Sequence, residues 1–135
     1  MERSGPERFL TTFALLAEAL PAIAKVAAPS ARIEIGEIAA NLRALRRMSL
    51  GITKLLETGE NPATEAVVVK EMGNRLENEI LSRLRHIVGS LPAGGLPPEF
   101  SAMMRDAILH VPSNTLRGGT TEILRGIIAR SLGMR

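Results

Sequence analysis

The chain has 135 residues, a net charge of +3 from 17 Lys and Arg against 14 Asp and Glu, and a pI near 10.2. That is room for one domain, residues 1–135, able to bury roughly two-thirds of its extended surface. The absence of cysteine excludes disulfides, thiolate metal sites and cysteine nucleophiles and suits the cytoplasmic location expected of it.

Three Phe are the only aromatics. Base-stacking platforms are therefore missing and no long stripe of like charge exists, so the basic balance reads as a solvated Arg/Glu surface. No nucleic-acid partner is expected. The apolar run from Phe13 to Ala28 is interrupted by Glu18, Pro21 and Lys25. It is too short and too polar to span a bilayer, and Glu2 and Glu7 spoil a basic leader. It reads as a core helix.

Ser4-Gly5-Pro6-Glu7 has the form of a capping box. Phe9, Phe13, Leu16, Leu20 and Ile23 follow at spacings of four and three, which predicts one buried helix face. Pro21 is expected to kink or break this first helix. Pro29-Ser30 restarts the pattern with Ser30 as N-cap. Ile35, Ile38, Leu42, Leu45, Met48, Ile52 and Leu55 then form a long stripe, with Arg43, Arg46, Arg47 and Lys54 mostly off it. Gly59 stops this second helix. Asn61 caps the third, with Pro62 at its first helical position. Its buried face is Val69, Met72, Leu76, Ile80, Leu84 and Ile87, with Gly73 permitting close helix contact and Gly89 ending it. Residues 90–98 form a loop. A shorter helix runs from Glu99 to Val111, carrying Phe100, Met103, Met104, Ala107 and Ile108, until Pro112-Ser113 breaks it. Thr120 or Thr121 caps a final helix that ends at Gly133. Short connections between long amphipathic helices predict an all-α, up-and-down four-helix bundle with an extra short helix.

His86 and His110 are isolated, and no metal-ligand spacing exists; a metal site is not expected. The methionines sit at core spacing. No nucleophile motif surrounds any Ser or Thr.

The string Arg117-Gly118-Gly119-Thr120-Thr121-Glu122-Ile123-Leu124-Arg125, preceded by Arg105-Asp106-Ala107, resembles the C-terminal signature of the acyl-CoA dehydrogenase family. The long Arg-rich second helix, Gly59 and the third helix also fit the C-terminal four-helix bundle of that family. Its members oxidise an acyl-CoA thioester to the trans-enoyl-CoA. A glutamate takes the α-proton, and FAD accepts hydride from the β-carbon. The resemblance implies that Gly119 approaches substrate while Thr120, Thr121 and Glu122 approach FAD. The turn also has a purely structural reading, in which glycine supplies positive φ and Thr caps a helix.

In many members the catalytic glutamate immediately precedes the Gly-Thr pair; here that position is Gly118. Isovaleryl- and long-chain-type members carry it at the start of the first bundle helix, one residue before an arginine. That pattern matches Glu2, followed by Arg3. Glu2 is thus the candidate base and Arg3 the candidate acyl-CoA contact, although Glu2 reads equally as a surface carboxylate. The Arg-x-x-Phe-Gly segment and following Gln that bind a neighbouring subunit's flavin are missing from 25–37. The Gly-Gly-x-Gly-Tyr segment is reduced to Gly94-Gly95. The resemblance therefore implies either the bundle of a complete flavoenzyme, inactive in isolation, or a non-catalytic helical partner of a flavin-bearing dehydrogenase. Self-association through the second and third helices is expected in both. A basic bundle binding a polyanion or membrane surface is the weaker alternative.

Overall fold

In a computed structural model that describes residues 9–26, 29–92, 96–116 and 119–134, five helices follow one another and no strand is present among the described residues. They are α1 (Phe9–Val26), α2 (Pro29–Glu57), α3 (Ala63–Gly89), α4 (Pro98–Leu116) and α5 (Thr121–Ser131). The all-α bundle with an extra short helix is as the periodicity predicts. The Ser4 capping box lies outside the described residues.

The core is one cluster. Leu15, Leu16, Ala19 and Ile23 of α1 meet Ile38 and Leu45 of α2, Leu76, Ile80, Leu81, Leu84 and Ile87 of α3, and Phe100, Met104 and Ala107 of α4. α3 touches all four other helices. Its buried face is accordingly wider than the predicted stripe and takes in Gly73, Asn74 and Glu77. Met72 and Val69 lie at its margin, half-exposed. Arg83 of α3 reaches Glu37 of α2 at 2.7 Å and its own Glu79, one turn earlier, at 2.7 Å.

The inner face of α1 is turned from the one expected. Thr12, Leu15, Leu16, Ala19 and Ile23 are buried, while Phe13 is 57% exposed and Leu20 lies near the surface. α1 carries only two charges, Glu18 and Lys25, so apolar residues occur on every side and periodicity cannot choose a phase.

Neither internal proline ends its helix. Pro21 lies inside α1 and Pro112 inside α4. Both are exposed, as are Ala17 and Ile108, whose carbonyls lose a helical donor and can be hydrated instead. In α1 the buried residues stand on both sides of Pro21. Burying Leu15, Leu16 and Ile23 contributes roughly 1.5–3 kcal/mol each, which outweighs a proline penalty of about 3 kcal/mol.

Two helix starts shift, by two residues at α2 and by one at α3. α2 begins at Pro29, so Ser30 lies within its first turn. Pro62, not Asn61, occupies the N-cap of α3. Such offsets are ordinary where neither side chain bonds the helix end. Gly59 behaves as expected: with φ at +82° it closes α2 through Gly59 N–H to Leu56 O (3.1 Å) and Glu60 N–H to Leu55 O (3.0 Å), a Schellman arrangement. Gly133, φ +77°, repeats it after α5 with Met134 N–H on Ala129 O at 2.9 Å.

Replacing Pro21 by Ala restores the missing donor without altering the buried face. Urea denaturation is expected to show P21A more stable by roughly 1–3 kcal/mol. A loss of stability would mean that the ring itself contributes packing.

Candidate functional site

The residues singled out by the C-terminal signature converge on the entry to α5. Gly119 has φ +109°, a conformation open to glycine and strained for any residue with a Cβ. A Cβ there would also stand 3.2 Å from Leu124 Cδ2. Leu124 is 2% exposed and folds back beneath the turn. The turn and the first turn of α5 are thus one packed unit.

Thr120 takes the N-cap position with extended backbone, φ −67° and ψ 163°. Its carbonyl accepts the first intrahelical bond, from Leu124 N–H at 3.0 Å. The amides of residues 121–123 stand ahead of that bond and face outward from the helix end. The Thr120 side chain does not cap a helix amide. It serves Glu122 instead. The Glu122 carboxylate accepts from its own backbone N–H and from the Thr120 hydroxyl, with Arg125 nearby, and this holds its pKa below the usual carboxylate range. Gly119, Thr120 and Thr121 are half-buried and Glu122 is exposed. The result is a helix N-terminus with the amides of residues 121 and 123 ahead of the first intrahelical bond, the Thr121 hydroxyl beside them and one well-ionised acceptor, all within four residues.

The structure therefore brings Gly119, Thr120, Thr121 and Glu122 together as one turn. Glu2 and Arg3 lie outside the described residues, as do Arg117 and Gly118. Arg105 and Asp106 are exposed on α4, and His86 and His110 are exposed on α3 and α4. No group of three His, Asp or Glu suited to a metal ion occurs among the described residues.

Sequence reasoning missed two polar features. Arg125 of α5 places Nε and Nη2 each 2.9 Å from the same oxygen of Glu71, on α3. The two residues are 54 positions apart, so no local pattern pairs them. Asn74 and Glu77 are buried inside α3, Glu77 to 1% exposure; Glu77 stands one residue off the Met72–Leu76–Ile80 stripe and Asn74 two. A cleft of about 420 Å³ runs between α3 and α5, lined by Glu71, Arg75, Arg125, Ile128, Leu132 and Met134 among others. A smaller one of about 210 Å³ separates α1 from α2, with Arg32 at its edge donating to Ala24 O at 3.2 Å. Neither cleft includes residues 119–122.

Residues 22–133 match the model of the acyl-CoA dehydrogenase C-terminal domain family. No curated protein matches the sequence. The family match takes in only the last turn of α1, from residue 22, and the whole of α2 to α5. The chain therefore belongs to the acyl-CoA dehydrogenase C-terminal domain family.

The Glu122 environment yields a measurable sign. Its depressed pKa contributes stability that is present above the ordinary carboxylate pKa and is lost as pH falls through the lowered value. Thr120→Val keeps the shape but removes the hydroxyl. Carboxyl NMR titration is expected to show the Glu122 pKa moving up toward the ordinary range in T120V. An unchanged titration would show that the hydroxyl contributes nothing.

Proposed function

We propose that the chain acts as the C-terminal bundle of an acyl-CoA dehydrogenase-like flavoenzyme, in which FAD oxidises the α,β bond of an acyl-CoA thioester. The carrying observation is that the family match runs through the Gly119-Thr120 turn and the α5 helix it opens. In this reading Glu2 removes the α-proton and Arg3 contacts the acyl-CoA. Gly119 approaches substrate, and Thr120, Thr121 and Glu122 approach the flavin cofactor.

The chemistry at α5 suits part of a flavin nucleotide. FAD, when bound, supplies the hydride acceptor. The protein's share is donors and acceptors at fixed positions. Outward amides and the Thr121 hydroxyl suit carbonyl or phosphate oxygens. Glu122 stays ionised, so it takes a hydroxyl or amine donor and repels a phosphate brought directly against it. That combination fits the sugar or base of a dinucleotide beside Glu122, with its anionic part farther toward Gly119. These groups form a half-site. Residues 1–135 alone are therefore expected to have no dehydrogenase activity.

The second reading is a non-catalytic helical partner of a heteromeric acyl-CoA dehydrogenase. It is favoured by exposed apolar residues on the outer helices: Met48, Leu50 and Leu56 of α2, with Met72 of α3 near them in the order of elements. Such side chains seek a partner surface. In either reading the protein works in an oligomer, a homo-oligomer or a complex with a flavin-bearing dehydrogenase. A cytoplasmic location goes with both. No described helix is long and apolar enough to cross a membrane.

The deciding experiment is a visible absorption spectrum after FAD addition and desalting, with and without a candidate partner dehydrogenase. Oxidised flavin absorbs in the visible, where no side chain does, and with no Trp or Tyr the chain adds almost nothing near 280 nm. Flavin held by the chain alone, or by a complete enzyme containing it, supports the first reading. Flavin held only with a separate partner supports the second, and none in any combination refutes both. Light scattering is expected to show self-association through α2 and α3; a strict monomer at high concentration would refute that part.

A further inference from the structure

α5 is seated on the bundle by few fixed points. It buries one side chain fully, Leu124, and Leu124 also packs back toward Gly119. Gly126, Ile127, Ile128 and Ala129 are half-buried. Its main neighbour is α3. Apolar contact of this kind is non-directional and recurs each turn, so by itself it resists sliding and rotation of a short helix weakly.

The directional contact is the ion pair to Glu71. Both guanidinium nitrogens of Arg125 meet one carboxylate oxygen at 2.9 Å, and among the described residues no other ion pair joins α5 to the rest of the bundle. Its two ends differ in burial. The Glu71 side chain is 12% exposed, whereas that of Arg125 is 62% exposed. Solvent therefore screens the pair, and its weight in overall stability is small. Its geometry is still restrictive, because a planar guanidinium held through two nitrogens fixes direction as well as distance. Arg125 lies one helical turn beyond Glu122. Whatever fixes Arg125 on α3 fixes the entry turn of α5.

We infer that Glu71 is a positioning residue: by holding Arg125 it sets the placement of α5 on α3, and with it the location of the Gly119-Thr120-Thr121-Glu122 turn. The functional weight of this rests on the reading that the turn meets flavin. The placement itself does not.

Hydrogen exchange followed by NMR on the full chain tests it. In Glu71→Gln the charge is lost at equal size, and in Glu71→Ala the acceptor is removed. Exchange of the α5 amides from Leu124 to Ala129 is expected to quicken roughly tenfold in E71Q and further in E71A. The amides from Leu76 to Leu84 in α3 keep their protection. The reversed pair, Glu71→Arg with Arg125→Glu, is expected to restore α5 protection. Loss spread evenly over α3 and α5 would reduce Glu71 to an ordinary stabilising residue and overturn the inference. So would unchanged exchange in E71A, or failure of the reversed pair to rescue. Flavin retention in E71Q, measured on whichever assembly holds FAD, is expected to weaken in step with α5 exchange; retention unchanged while α5 loosens would overturn the functional weight given to Glu71 and leave the placement of α5 standing. An unmodified protein that holds no flavin refutes the flavin reading instead, and the exchange pattern still decides whether Glu71 places α5.

Discussion

Because α3 contacts every other helix, its side chains must satisfy neighbours on more than one side. A single apolar stripe cannot do this. The buried set of α3 forms two adjoining rows, Gly73–Glu77–Ile80–Leu84–Ile87 and Asn74–Leu81, beside Leu76. Two members of those rows are polar. An amide and a carboxyl withdrawn from water are costly unless engaged, and neither Asn74 nor Glu77 is left without a partner. The outer helices take their positions from this one: α2 through the apolar stripe and the Arg83–Glu37 pair, α5 through Leu124 and Arg125.

This arrangement explains which features were legible in the chain and which were not. α2 and the apolar part of α3 were readable because their charges are frequent enough to mark an outside. Ile38 and Leu45 fall where the spacing puts them. α1 was readable as a helix but not in its orientation, since two charges in 18 residues leave the phase open. Pro21 and Pro112 read as breaks from local chemistry. Each sits where water can replace the lost bond, and in α1 tertiary burial outweighs the local cost. Glu77 was unreadable for the opposite reason: a charge in a helical pattern is ordinarily assigned to solvent. At the entry to α5, the glycine turn at 119 and the cap at Thr120 were legible because turn and cap chemistry is local, whereas Glu122 was singled out by the resemblance alone. Glu71 was not legible, because its role exists only once α5 lies on α3.

The turn at α5 shows how one local sequence meets structural and chemical demands together. Glycine is required at 119 by a φ of +109° and by the nearness of Leu124. Thr120 gives its carbonyl to the helix and its hydroxyl to Glu122, whose carboxylate also takes its own backbone N–H, so the Thr120 side chain caps no helix amide. An acidic residue in the first turn is favourable with the helix dipole, which helps keep Glu122 ionised as an acceptor. None of this requires a ligand, and all of it makes the turn receptive to one.

The outer surface of α2 limits how the bundle can associate. From Ala39 to Lys54 the helix carries Arg43, Arg46, Arg47 and Lys54 and no acidic residue. All four cations are exposed, and Met48 and Leu50 lie among them. An isologous contact that laid two such stretches against each other would bury apolar surface but oppose like charges. A partner surface that covers Met48 and Leu50 at lower cost brings carboxylates with it. α3 has exposed Glu65 near its start, α2 ends on exposed Glu57, and the connection between them carries exposed Glu60. An arrangement that sets the α2 stretch of one copy against this acidic end of another satisfies both the apolar and the charged groups. α1, about 27 Å long, cannot shield the full length of α2, about 43 Å, so the surface stays available for such a contact.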